Sequence, residues 1–159
     1  MRSRVLISIL AWLGYLAHTG LTLWAAWSSQ WPLPIPKYLA SPVGLLLVPA
    51  GALLYLTAVV SFRSLGWAIA HSSKQLVTNG IYRYCRHPQY AGWELVLLGV
   101  SIAGRSGLAL LLSLALLAFF AALVPVEERS LEREFGAHYR EYRANTRWVR
   151  WPLGRWGRR

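Results

Sequence analysis

Residues 76–92 read LVTNGIYRYCRHPQYAG, and residues 127–142 read EERSLEREFGAHYREY. Two apolar segments lie between these polar stretches, and two more precede the first. The fold follows from that alternation. Asn79-Gly80 is a turn signal, because glycine reaches positive φ at little steric cost. Pro88 suits the first turn of a helix, where its missing N–H would lack a partner in any case. The run from Gln89 to Ala103 continues that helix, Gly104-Arg105-Ser106-Gly107 turns the chain, and Leu108 to Val124 returns it. Both arms are short for a perpendicular membrane span, which takes about 20 residues. A tight helical hairpin is therefore expected.

Upstream, Val5 to Trp27 is long enough to cross a bilayer. MRSR before an apolar run also suits a signal peptide, but the run is long for one and no A-x-A site follows. A retained membrane helix is expected, with His18 as a packed or hydrogen-bonded interface group rather than a ligand. Ser28 to Ala40 holds Pro32, Pro34 and Pro36, a spacing that favours an extended loop. Trp24, Trp27 and Trp31 gather there as an interfacial belt would. Ser41 to Phe62 is a second span, with Pro49 and Gly51 as tolerated kinks. Arg63 to Tyr84 is too charged to span. From Glu127 the chain reads as a charged helix, with Leu131, Phe135 and Tyr142 near one face. The tail RWVRWPLGRWGRR suits a segment lying on anionic headgroups.

Composition agrees. Of 159 residues 55% are hydrophobic and 14% charged, against about 25% charged in an ordinary soluble domain. The net charge of +11 would suggest nucleic acid on a soluble protein. Here the cations flank apolar runs, so lipid headgroups are the expected counter-charge and nucleic acid is not. A single cysteine, Cys85, excludes an internal disulfide, and no metal-ligand spacing is present. With four spans, Lys37 and Arg105 fall on one side and the other fifteen of 17 Lys and Arg on the opposite side. The positive-inside rule then places both termini in the cytoplasm. The expected fold is all-α: one domain over 1–159, an integral membrane helical bundle. It has about four transmembrane helices (5–27, 41–62, 89–104, 107–124) and a cytoplasmic C-terminal amphipathic helix. Polar motifs occupy 76–92 and 127–142.

Those motifs carry the chemistry. His87, Tyr90 and Glu94 share one helical face at this spacing. A carboxylate within a membrane segment is costly and is a functional candidate by default; the alternative for Glu94 is a structural pair with Arg83 or Arg86. A hairpin returns to its origin, so Glu127 should converge with His87 and Tyr90. Such a site suits a small cationic ligand beside an apolar partner; the alternative is a charged helix end capping the hairpin. Adjacent helical residues point about 100° apart, so Glu128 is expected to face away from the ligand of Glu127.

The two motifs resemble those of the isoprenylcysteine carboxyl methyltransferase and phospholipid methyltransferase superfamily of integral membrane enzymes. LVTNGIYRYCRHPQYAGW is similar to its LVTxGxYxxxRHPxYxG run, and EERSLEREFGAHYREY to its EExxLxxxFGxxYxxY run. The resemblance covers about the last half of the chain. It implies S-adenosylmethionine as cofactor, bound by Lys74, Gln75, Leu76, Val77, Tyr82, His87, Pro88, Gln89, Tyr90 and Glu127. Under that implication Glu127 pairs with the ammonium, His87 bonds the polar end, and backbone at Leu76 and Val77 reads the adenine. Tyr82 and Tyr90 line the wall. The acceptor would be a membrane lipid or other lipophilic small molecule: a lipid amine, a prenylated cysteine carboxylate or a small thiol. Glu94 and Arg86 are the candidate catalytic residues. Glu94, or His87, would accept a proton. The arginine that the carboxyl-methylating branch carries four residues before the first Glu of the pair is Leu123 here, so Arg83, Arg86 or Arg129 would have to replace it. Cys85 is expected to play no nucleophilic part. The competing readings are an NADPH-dependent membrane reductase of the sterol-reductase type, with Arg83 and Arg86 at the phosphates, and a non-catalytic membrane scaffold.

Overall fold

The computed structural model describes residues 2–61 and 76–146, with side chains from residue 13 onward. Lys74, Gln75 and the basic C-terminal tail lie outside the described residues. Within them the chain is helical, without a named strand: α1 (Arg2–Trp27), α2 (Lys37–Val60), a 3-10 turn (Gly80–Arg83), α3 (Pro88–Ala103), α4 (Gly107–Phe135) and α5 (Ala137–Asn145). α2 and α4 are long and apolar enough to cross a membrane, yet only 17% and 28% of their most apolar windows are buried. A helix that is apolar all round and so little covered by its own protein needs hydrocarbon around it.

Several boundaries differ from the sequence reading. α2 begins at Lys37, not Ser41, because the Pro36 carbonyl accepts the N–H groups of Leu39 and Ala40, each at 3.0 Å, and starts the helix inside the proline loop. The larger correction concerns the C-terminal half. The apolar return arm and the charged segment form one helix of 29 residues, with Pro125 inside it. A single proline removes one hydrogen bond, which a membrane helix tolerates. The break comes instead at Gly136, whose φ of 55° lies in the left-handed region that ends helices. Leu131 and Phe135 therefore lie on α4 and Tyr142 on α5, not on one helical stripe.

The chain divides into two compact units. The first comprises Met1–Gly51 and Glu94–Phe119. Small residues set its packing: Ala25, Ala26 and Ala109 form the buried centre, with Val100, Leu108 and Leu112 against it. A Cβ on Gly104 would lie 2.3 Å from the Ala26 carbonyl oxygen, so only glycine permits this approach. The loop after α1 is pinned to the α3–α4 turn. The Leu33 N–H donates to the Arg105 carbonyl at 2.7 Å, and the Ser106 hydroxyl donates to the Gln30 carbonyl at 2.8 Å. Ser101 and Ser113 bond across the hairpin at 3.1 Å. His18 is half-buried, and its Nε2 has no hydrogen-bond partner among the described residues. The second unit comprises Ala52–Trp93 and Phe120–Arg159, and it carries the polar motifs.

Candidate functional site

The 3-10 turn Gly80–Arg83 follows Asn79, and Gly80 has the positive φ expected of it, 58°. The turn buries Tyr82, whose backbone carbonyl accepts the Tyr142 hydroxyl at 2.8 Å. Burial pushes the Tyr82 and Tyr142 phenols well above their ordinary range, so both are neutral hydrogen-bonding groups. Cys85 is buried and free, and desolvation pushes its thiol up, which disfavours the nucleophilic thiolate.

His87 stands immediately before α3, and its carbonyl accepts the Ala91 N–H at 3.2 Å. Its ring stacks on Tyr90 with centroids 5.8 Å apart, and Tyr90 stacks on Phe120 at 4.4 Å. This stack carries the imidazole to both carboxylates of α4. Nδ1 lies 3.6 Å from Glu127 Oε2, and Nε2 lies 3.3 Å from Glu128 Oε1. Desolvation lowers the His87 pKa against the pull of Glu127 and Glu128. The imidazole is therefore predominantly neutral near pH 7; its one N–H can serve the hydrogen bond to Glu128, and Glu127 is a neighbour at longer range.

The two glutamates divide their work. Glu128 is buried and takes Arg86 Nε and Nη2, each at 2.9 Å, with Arg143 Nε at 3.5 Å. Arg86 Nη1 also donates to the carbonyl of Thr146, tying down the end of α5. Glu127 is 21% exposed and accepts the Tyr90 hydroxyl at 3.0 Å. The 100° separation holds: Glu127 lines a cavity, and Glu128 turns to Arg86 and does not line it. Both still lie near His87, whose two ring nitrogens face opposite acids.

Around Glu127 lies a cavity of about 170 Å³, walled by Tyr82, Tyr90, Tyr139 and Tyr142 and edged by Leu76, Val77, His87 and Gln89. Two buried polar atoms on its wall, Gln89 Nε2 and Tyr139 Oη, have no hydrogen-bond partner among the described residues. Burial, with Glu128 second, raises the Tyr139 phenol to about 12. Unpaired buried donors are costly, so the wall is built for a polar ligand. Carboxylates of Glu127 and Glu134 amid aromatic faces suit a cationic end.

The sequence-derived candidates separate accordingly. Leu76, Val77, Tyr82, His87, Gln89, Tyr90 and Glu127 line one cavity. Pro88 is fully buried in the first turn of α3 and does not line it. Arg86 lines the cavity with its guanidinium committed to Glu128. Glu94 is buried but does not line the cavity, and neither of its oxygens has a hydrogen-bond partner among the described residues. The alternative reading of Glu94, a structural pair with Arg83 or Arg86, is not met among the described residues. Tyr139, Tyr142, Ser130, Leu131 and Glu134 complete the wall, and the sequence reading did not place them in the cofactor site. Tyr139 and Tyr142 stand three apart in the second motif. That spacing was the available signal, but only the turn at Gly136 folds them back.

The profile of the family described as phospholipid methyltransferase matches residues 39–138. The chain is also similar to curated proteins named protein-S-isoprenylcysteine O-methyltransferase. The one from Schizosaccharomyces pombe is 44% identical over 69 residues, 43% of this chain and 29% of that protein. The Xenopus laevis protein is 35% identical over 108 residues, 65% of this chain and 38% of its own. A probable member from Oryza sativa subsp. indica is 34% identical over 110 residues, 66% of this chain and 58% of its own. The chain thus spans between 29% and 58% of the length of these relatives. No solved structure matches it significantly.

Proposed function

Because this chain belongs to the phospholipid methyltransferase family, we propose that it transfers a methyl group from S-adenosylmethionine to a lipophilic acceptor at the cytoplasmic membrane face. The observation that carries this reading is the partly exposed Glu127 carboxylate in a tyrosine-walled cavity with two unpartnered polar atoms. The donor set fits the cofactor. Glu127 would hold the ammonium, the tyrosine faces would accept the sulfonium charge, and Gln89 and Tyr139 would bond the carboxylate or ribose. The cavity volume of about 170 Å³ is near that of a cavity accepting one aromatic ring, so it takes one end of such a ligand. When bound, the cofactor supplies an electrophilic methyl group. The chain's own residues orient it and exclude water on the tyrosine side. Positioning of this kind supplies most of the rate in methyl transfer.

For the membrane arrangement we propose four spans with both termini cytoplasmic, supported by the fifteen-to-two division of Lys and Arg. For the acceptor, the relatives' names point to a prenylated cysteine carboxylate. Two observations favour a neutral nucleophile instead, a lipid amine or small thiol. Leu123 stands where the carboxyl-methylating pattern has arginine, and Arg86, the candidate catalytic arginine, is paired with Glu128. A proton released by such a nucleophile would pass to His87 or to solvent. The matched family is one of methyltransferases, so methyl transfer is proposed ahead of nicotinamide-dependent reduction. The test is incubation with methyl-labelled S-adenosylmethionine and native membrane extract, followed by lipid mass spectrometry before and after mild base. Label that resists base indicates N- or S-methylation, and label released as methanol indicates a methyl ester. No lipid label in either fraction refutes the proposal.

A further inference from the structure

The first unit contains a second and larger cavity, of about 920 Å³, at the C-terminal end of α3. Its wall is apolar, from Leu23, Leu45, Val48 and Val100, and its rim carries Lys37 and Arg105. These are the two cations that the charge pattern sets apart from the other fifteen. The unit holds a single acidic residue, Glu94. The carboxylate oxygens of Glu94 have no partner among the described residues, so it neutralises neither cation. Arg105 is held in place: its φ is 53°, its carbonyl takes the Leu33 N–H at 2.7 Å, and Nη2 donates to the Leu33 carbonyl at 3.4 Å. Its Nε is buried and unpartnered among the described residues. Beside the rim, Trp27 is 92% exposed and Tyr38 76%. Such amphipathic rings settle at headgroup depth.

From this arrangement we infer that the groove binds an anionic phospholipid, its headgroup phosphate between Lys37 and Arg105 and one acyl chain along Leu45, Val48 and Val100. A soluble anion would leave the apolar wall bare. A zwitterionic lipid would bring its own ammonium to a rim that already carries two unopposed positive charges. The inference requires membrane residence but not methyl transfer, and it stands or falls separately from the function proposed above.

The full chain is placed in bilayers of phosphatidylcholine containing a limiting fraction of phosphatidylglycerol with a photoreactive acyl chain. After irradiation and digestion, labelled lipid is mapped on peptides covering residues 44–49 and 100–105. The wild-type chain is expected to label at both. The double variant Lys37→Gln, Arg105→Asn should reduce that labelling roughly ten- to thirtyfold, the loss expected for two cations at a membrane surface. Asparagine at 105 preserves the left-handed backbone. Leu45→Trp, which fills the groove and leaves both cations, should reduce it comparably. Photoreactive phosphatidylcholine should label these peptides weakly in every case. Unchanged labelling in the double variant, or equal labelling by the two lipids in the wild type, overturns the inference. If circular dichroism shows that the double variant loses helix, Leu45→Trp decides alone, and undiminished labelling there overturns it.

Discussion

Replacing Glu127 with Gln keeps the shape of the side chain and removes its charge. In the structure that carboxylate accepts the Tyr90 hydroxyl at 3.0 Å and remains 21% exposed on the cavity side. A hydrogen bond to a charged group contributes roughly 1.5–3 kcal/mol, and partial exposure favours the lower part of that range. At about 1.4 kcal/mol per decade, affinity for S-adenosylhomocysteine should fall roughly ten- to thirtyfold, with little change in the thermal midpoint. Glu128→Gln should behave in the opposite way. Its side chain and that of Arg86 are 8% and 10% exposed and meet at 2.9 Å. Leaving a buried charge uncompensated costs about 3–5 kcal/mol. Gln still accepts one bond, so a loss near 3 kcal/mol of stability is expected, with only a modest loss of affinity in the folded fraction. Calorimetric titration and thermal denaturation of both purified variants separate the two effects. Unchanged affinity in Glu127→Gln refutes its role in binding. Equal losses of stability in the two variants would mean that the pair acts only as a structural cap.

Tyr90→Phe keeps the stacks on His87 and Phe120 but removes the bond that orients Glu127. Affinity for S-adenosylhomocysteine should fall about three- to tenfold without thermal destabilisation, as titration will show. Gly104→Ala would press a Cβ to 2.3 Å from the Ala26 carbonyl, where backbone cannot rotate aside. Overpacking of this kind costs about 1–3 kcal/mol, and a thermal midpoint equal to wild type would disprove the close approach. The last prediction concerns pH. The folded pKa of His87 is below its ordinary 6.5, so between the two values the unfolded chain binds the extra proton and stability rises with pH. The contribution is complete above about 6.5 and is lost as pH falls toward the folded value. His87→Gln should flatten the acid side of the curve of thermal midpoint against pH, and an unaltered slope would contradict the assignment.

Local chemistry made much of this protein legible from its sequence. Apolar runs with no room for unpaired backbone groups require helices in lipid, so the all-α class followed directly. Asn79-Gly80, Pro88 and Gly104-Arg105-Ser106-Gly107 announce turns through constraints that each residue carries with it. The spacing of His87 and Tyr90 put both on one face, and hairpin geometry brought Glu127 near them. Other features depend on competition between partners distant in sequence, and only the tertiary structure decides those. Arg86 could have reached Glu94, an acceptor carboxylate or Glu128. It pairs with Glu128 because α4 continues unbroken past Pro125 and carries that carboxylate to 2.9 Å in a buried setting. Tyr139 and Tyr142 join the cavity because the chain turns at Gly136 and not at the proline, and helical periodicity does not cross such a break. The groove beside Lys37 and Arg105 likewise arises where three helices meet, and no single stretch of sequence encodes a space between helices.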